Sequence, residues 1–281
     1  MMELLSKAVT VAMLSFVVSS MLAMGAALSV SQILEPLRNA RLVVLALLAN
    51  FVLMPLSAFA LAKILSLDGP LGVGLLLLGC AAGAPFLPKL AELARGHLPF
   101  AVGAMVLLMV ITVAYLPIVL PLLLPGVTVN PVKIAQSLAL LMLLPLAIGL
   151  FVKARYESTA VRVKPTLDWL SNISLILLIV LITVVNFDKV LQVFGTRGIL
   201  AALLFIAFGF CIGWVLGGPS KDTRSVLALA TAQRNIAAAL VVASQSFDDP
   251  KVVVMVVVVA IVGLIILMPL SRAVAKITSR A

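Results

Sequence analysis

Apolar runs of about twenty residues follow one another along this chain, separated by short polar stretches that hold most of its charge. A run of that length crosses about 30 Å of hydrocarbon as an α-helix, so the pattern predicts nine spans. They are Ala8–Ser29, Leu42–Leu61, Pro70–Ala94, Leu98–Leu124, Val132–Val152, Leu167–Phe187, Ile199–Gly217, Thr223–Ser246 and Val252–Ala275. The first shares features with a secretory signal, with Lys7 before it and small residues (Met24–Ala27) at its end. Its apolar run exceeds the usual signal core of about 7–15 residues, so it is read as a retained span.

Two spans break the pattern. The third contains Gly83-Ala84-Pro85-Phe86-Leu87-Pro88-Lys89 near its centre. Proline removes a backbone donor and clashes with the preceding turn, so the helix is expected to unwind around Ala84–Pro88. The eighth carries Gln233-Arg234-Asn235 at matching depth, and irregular backbone is expected over Thr231–Asn235. Three consecutive residues fan over about 200° of a helix, so one lipid-free face cannot hold all three. Arginine at mid-bilayer costs about 2.5–3.5 kcal/mol even on the mildest scale, which marks a functional or structural polar centre. Interrupted helices in matching positions are the sequence sign of an inverted-repeat transporter with a midplane site. The expected division is one membrane domain over 1–281, with residues 1–125 as the first inverted repeat and 126–281 as the second. The first repeat then lacks an initial helix.

Composition agrees: 64% of the 281 residues are hydrophobic and 11% charged. A soluble domain is nearer a quarter charged, so the fold class expected is an all-α polytopic membrane protein. The net charge of +10 therefore marks loops, not nucleic-acid binding. Twelve loop-side cations fall on one side and six on the other, with Lys89 and Arg234 inside spans. That asymmetry predicts a cytoplasmic C-terminus and an external N-terminus in the cell membrane.

Other chemistry is not called for. The single His97 stands beside Gly96 at a span end, and no His/Cys/Asp/Glu cluster suggests a metal. Cys80 and Cys211 lie in apolar runs and are expected to be buried thiols. The spans lack the acid–base pairs that hydrolysis needs, so an enzyme is not expected.

Three stretches resemble the bile acid:sodium symporter family: MLAMGAALSVSQILEPLRNARLVVLALLANFVLMPL, GLLLLGCAAGAPFLPKLAELARG and ALATAQRNIAAAL. The resemblance implies a core domain with two crossed, unwound helices working against a panel domain, some members having nine spans instead of ten. It also implies sodium sites, and there the chain departs from the family. Leu229 stands at the position of the coordinating glutamate, Leu87 and Pro88 at that of a Ser-Asn pair, and Met105–Met109 at that of hydroxyl ligands. Only Gln233 matches as an oxygen donor. No cofactor is expected: sodium remains possible, through oxygens of Asn50, Ser57 or Thr231, but its usual ligands are not retained.

The residues assigned to the substrate site are Lys89, Gln233, Arg234 and Asn235, with Gly83, Pro85, Pro88 and Thr231 shaping the crossover backbone. Arg234 has two possible roles. It can pair with a substrate anion, or replace sodium as a tethered cation among unwound carbonyls. Substrate pairing is preferred because Lys89 is available for the structural task. The expected function is alternating-access transport of a small organic anion, sodium-independent or proton-linked. The alternatives are a sodium-coupled symporter of the same family and a non-transporting anion receptor. Membrane lipids are the other expected partner, with no obligate protein partner.

Overall fold

The computed structural model describes residues 2–34, 38–124, 130–188, 193 and 196–278. In chain order the described helices are α1 (Met2–Ala27), the short α2 (Val30–Leu34), α3 (Ala40–Ile64), α4 (Gly69–Cys80) and α5 (Leu87–Leu93). They continue with α6 (Leu98–Leu123), α7 (Pro131–Arg155), α8 (Glu157–Val185), α9 (Gly198–Leu216), α10 (Lys221–Ala232), α11 (Ile236–Ser246) and α12 (Pro250–Thr278). No strand occurs among the described residues. The protein is an all-α polytopic membrane protein, as its hydropathy demands.

Eight segments are long and apolar enough to cross a bilayer, α10 and α11 together counting as one. The third predicted span is the exception: its break leaves α4 and α5 each too short to cross alone. A second difference concerns the stretch 153–166, which lies between the predicted spans Val132–Val152 and Leu167–Phe187. It is helical apart from Tyr156. Ion pairs one turn apart, Lys153–Glu157 at 2.6 Å and Lys164–Asp168 at 2.5 Å, support helix beyond the apolar stretch.

The helices sort into two groups. α1 packs against α7 and α8, while α3–α6 and α9–α12 pack mainly among themselves. Burial separates them as well: the most apolar window of α10–α11 is 94% buried, that of α8 only 22%. The interrupted helix thus runs through the protein interior, and α8 faces lipid. Small residues permit the closest contacts, as expected where packing replaces hydrophobic exclusion. A Cβ on Gly213 of α9 would stand 2.3 Å from the Leu227 carbonyl oxygen of α10, so only glycine allows that approach.

Two further prolines sit beside irregular turns of their helices. Pro55 and Pro145 each follow a wide π turn, Ala49–Leu53 in α3 and Ala139–Leu143 in α7. A proline cannot donate to the carbonyl four residues back and crowds it, and the wider turn relieves the crowding. For Pro55 that carbonyl belongs to Phe51, and Tyr115 of α6 donates its hydroxyl to it at 2.5 Å. Cys211, expected to be buried, lies on the exposed side of α9; Cys80 is buried as expected. An apolar run does not reveal which of its faces meets lipid.

Candidate functional site at the helix crossing

The first break is written in glycine and proline. After Cys80 the chain has no regular structure over Ala81–Ala84, turns at Pro85-Phe86 and becomes helical again at Leu87. Gly83 has φ +78°, and a Cβ there would meet the Met109 backbone nitrogen at 2.2 Å. Both facts require glycine. Thr112 of α6 fastens the open strand on two sides: its Oγ1 accepts from the Ala82 amide at 2.9 Å and donates to the Ala82 carbonyl at 3.1 Å. Pro88 lies in the first turn of α5, where a missing N–H costs nothing. The unwinding therefore falls somewhat earlier than the two prolines suggested. Pro85 occupies the turn and Pro88 restarts the helix.

The second break has no glycine and no proline. α10 ends at Ala232, and α11 begins after Asn235, whose Oδ1 caps it by accepting from the Ala238 amide at 3.0 Å. Asparagine is among the best residues for that position. The predicted irregularity is confined to Gln233–Asn235, with Thr231 still helical.

The two breaks meet. The Asn235 amide donates to the Ala81 carbonyl at 2.9 Å, and its Nδ2 to the carbonyls of Gly83 at 2.9 Å and Ala82 at 3.3 Å. Arg234, only 3% exposed, reaches the end of α4. Its Nε donates to the Leu78 carbonyl at 2.8 Å and Nη2 to that of Gly79 at 2.8 Å. Nη1 donates to Asn50 Oδ1 at 2.7 Å and to the Thr231 carbonyl at 3.2 Å. Four hydrogen bonds thus leave this guanidinium, three of them to carbonyls in the last turns of α4 and α10.

A buried guanidinium without a carboxylate would ordinarily be costly, and no carboxylate pairs with Arg234 among the described residues. The compensation is dipolar. Each helix C-terminus carries the equivalent of about −0.5 charge, so two such ends facing one cation supply about one opposite charge. Carbonyls at helix ends lack the full set of helical partners (that of Leu78 keeps only the Ala81 amide, at 3.2 Å), and the guanidinium provides donors in a rigid planar fork. Asn50 completes the arrangement from the π turn of α3, its Nδ2 donating to the Ala46 carbonyl at 3.0 Å and to Thr231 Oγ1 at 3.3 Å. Its amide is thereby oriented with the oxygen toward Arg234. From sequence alone Asn50 stands only among oxygens available to sodium. Thr112 and Tyr115, the conspicuous polar residues in the body of α6, are not singled out by sequence. Ser57, the third such oxygen, bonds back to the Leu53 carbonyl of its own helix at 2.7 Å.

The remaining predicted residues separate. Gln233 is 6% exposed, and its carboxamide has no hydrogen-bond partner among the described residues. Lys89 is not part of the crossing. Its ammonium pairs with Glu92 at 2.8 Å, with over half of each side chain exposed. The reason for preferring a substrate role for Arg234, that Lys89 could serve the carbonyls, is therefore removed. His97 caps α6, Nδ1 accepting from the Phe100 amide at 3.1 Å. No group of three or more metal-ligating side chains occurs among the described residues.

A polytopic helical protein whose two interrupted helices exchange backbone and side-chain hydrogen bonds in its interior is the class that the geometry defines. The chain belongs to the Sodium Bile acid symporter family, whose family model matches residues 13–193. It is 26% identical over 200 residues to the uncharacterized sodium-dependent transporter YocS of Bacillus subtilis, covering 69% of this chain and 61% of that protein. It is 27% identical over 240 residues to the probable sodium/metabolite cotransporter BASS1 of Arabidopsis thaliana chloroplasts, covering 82% and 58%. A similar protein, the probable sodium/metabolite cotransporter BASS2 of rice, is 24% identical over 238 residues, covering 83% and 57%. The aligned stretches thus cover about three fifths of these relatives' lengths.

Proposed function

We propose that this protein is a secondary carrier that moves a small organic anion across the cell membrane by alternating access, without sodium. The observation that carries the reading is the Arg234 guanidinium, bonded to the carbonyls that close α4 and α10. A covalently attached cation holds the crossing there, and the side chains of Leu229 and Leu87 offer no oxygen to a hard metal ion. A sodium ion added next to that guanidinium would meet repulsion and no carboxylate. Arg234 thus has the structural role, as a tethered replacement for a bound cation.

The substrate side of the crossing is assigned to Gln233 and to the N-terminal end of α11. Gln233 opens the second break, and the positive end of a half-helix dipole favours an anionic group. The division into inverted repeats, 1–125 and 126–281, belongs to the same proposal, supported by one interrupted span in each. So does the orientation with the N-terminus outside and the C-terminus in the cytoplasm, supported by loop charge. In the transport step α3–α6 and α9–α12 would move as a core against α1, α7 and α8. Contacts across that boundary include the Ser137 hydroxyl on Gln245 and the Ser244 hydroxyl on Met13 sulfur at 3.3 Å, weak enough to exchange.

The second reading is sodium-coupled symport, favoured by the descriptions of the relatives as sodium-dependent or sodium/metabolite carriers. Uptake of candidate organic acids into proteoliposomes, in sodium and in choline at constant pH, separates the two. Equal rates are expected, and a steep sodium dependence would overturn the proposal.

A further inference from the structure

Away from the crossing, a surface cavity of about 290 Å³ opens between the end of α5 and the last turns of α12, lined by Leu93, Arg95, Arg272, Ala275 and Lys276. Its three charged groups are all cations. None of them pairs with a carboxylate among the described residues. Glu92, the acidic side chain nearest in sequence to Arg95, is engaged by Lys89. We propose that this cavity binds the phosphate of an anionic phospholipid in the leaflet at the C-terminal end of α12.

Three features support a lipid occupant. The first is depth. Arg95 ends the interrupted span and Arg272 and Lys276 lie in the last turns of a membrane-crossing helix, which places all three where phosphates stand. Beside them, the other flank of α12 carries an apolar groove of about 450 Å³ whose lining includes Phe210, Trp214, Leu270 and Ile277. The same helical end is therefore apolar on one side and basic on the other, with an interfacial tryptophan, as the boundary between acyl chains and head groups requires.

The second feature is prior fixing of the arginine. Arg95 adopts φ +52°, a conformation that residues with side chains rarely take. It is held there by the Arg95 amide on the Glu92 carbonyl at 3.1 Å and the Gly96 amide on the Ala91 carbonyl at 2.9 Å. That closing turn fixes the backbone of Arg95 at the rim of the cavity it lines. The third is chemistry. Two guanidinium groups can each offer paired N–H donors to phosphate oxygens, and the ammonium adds a third charge. A soluble phosphate would share these contacts, whereas a lipid brings its phosphate already confined to the surface.

The test uses the full-length protein in detergent micelles, titrated with phosphatidylglycerol, phosphatidylcholine, glycerol 3-phosphate or inorganic phosphate. Bound lipids are counted by native mass spectrometry and the thermal midpoint is followed in parallel. Phosphatidylglycerol is expected to bind at least tenfold more tightly than phosphatidylcholine. Arg95→Gln, Arg272→Gln and Lys276→Gln should each reduce that preference by about fivefold, as expected for one cation near an anionic surface. Lys133→Gln, a charge on the far end of α7, should leave it intact. Raised salt should weaken the preference. The proposal fails if the triple variant, still folded by its circular dichroism, keeps the preference, or if Lys133→Gln loses as much. It fails equally if the soluble phosphates compete at the concentration of the lipid, for the site is then one for a free anion.

Discussion

The two interruptions that cross in the interior are built by opposite means. The first is imposed by backbone chemistry: Gly83 takes a left-handed turn, Pro85 fills a bend and Pro88 restarts the helix. The second has neither residue and would have continued as helix on propensity alone. It is opened by side chains, Asn235 capping the new helix and Arg234 leaving it to serve other carbonyls. Dependence runs mainly one way. The first break frees carbonyls at Gly79 and Gly83, leaves Leu78 with the Ala81 amide and Ala82 with Thr112, and the second break supplies a donor to each of the four. A proline can end a helix, but it cannot satisfy what it exposes. In the membrane interior no water is at hand to do so.

The comparison is most easily broken at Arg234. Arg234→Gln should lower stability by at least about 3 kcal/mol, because each buried carbonyl left without a donor costs about 1–3 kcal/mol. Unfolding in micelles measures this. Arg234→Lys should recover part, since lysine keeps the charge and loses the fork. If Arg234 holds the crossing, binding of an anionic substrate and its neutral amide should fall together in Arg234→Gln. Selective loss of the anion would instead return Arg234 to the substrate.

Gly83→Ala tests the backbone side. The left-handed φ and the contact with Met109 together should cost about 2–4 kcal/mol, read from the same unfolding curves. An alanine tolerated at wild-type stability would mean that the close packing on α6 is dispensable. Asn235→Ala removes a cap and two donors at once and should cost about 2 kcal/mol. Asn235→Ser should restore the cap alone, so the difference between the two variants isolates the bonds to Ala82 and Gly83.

Lys89→Gln sharpens the comparison from the other end. Its exposed ion pair with Glu92 should contribute no more than about 0.5 kcal/mol. Uptake by this variant should match the wild type. A transport defect without loss of stability would show that Lys89 meets the substrate in another state of the cycle.

Much of this molecule was legible in one dimension, because lipid imposes a simple rule on sequence. Every predicted span has a helical counterpart, and both breaks lie within a few residues of their expected places. Gly83, Thr231, Gln233, Arg234 and Asn235, which lie at or next to the two breaks, stand out in the sequence because glycine or polar residues inside an apolar run need partners or a special backbone. Hydropathy alone could not say which partners. Lys89 and Arg234 look alike on that scale, yet one is exposed beside Glu92 and the other is 3% exposed among carbonyls. The difference lies in the fold: α5 projects Lys89 outward, while α4 brings its open C-terminal end to Arg234. Asn50 and Thr112 carried even less signal, one polar residue each in an apolar helix. Their roles depend on contacts with residues 184 positions away for Asn50 and 30 for Thr112. The sequence determined where helices form and where they fail, through local backbone chemistry and the cost of polarity in lipid. Only the tertiary structure decided which freed carbonyls meet which donors, because that pairing requires elements far apart in the chain to converge on one point.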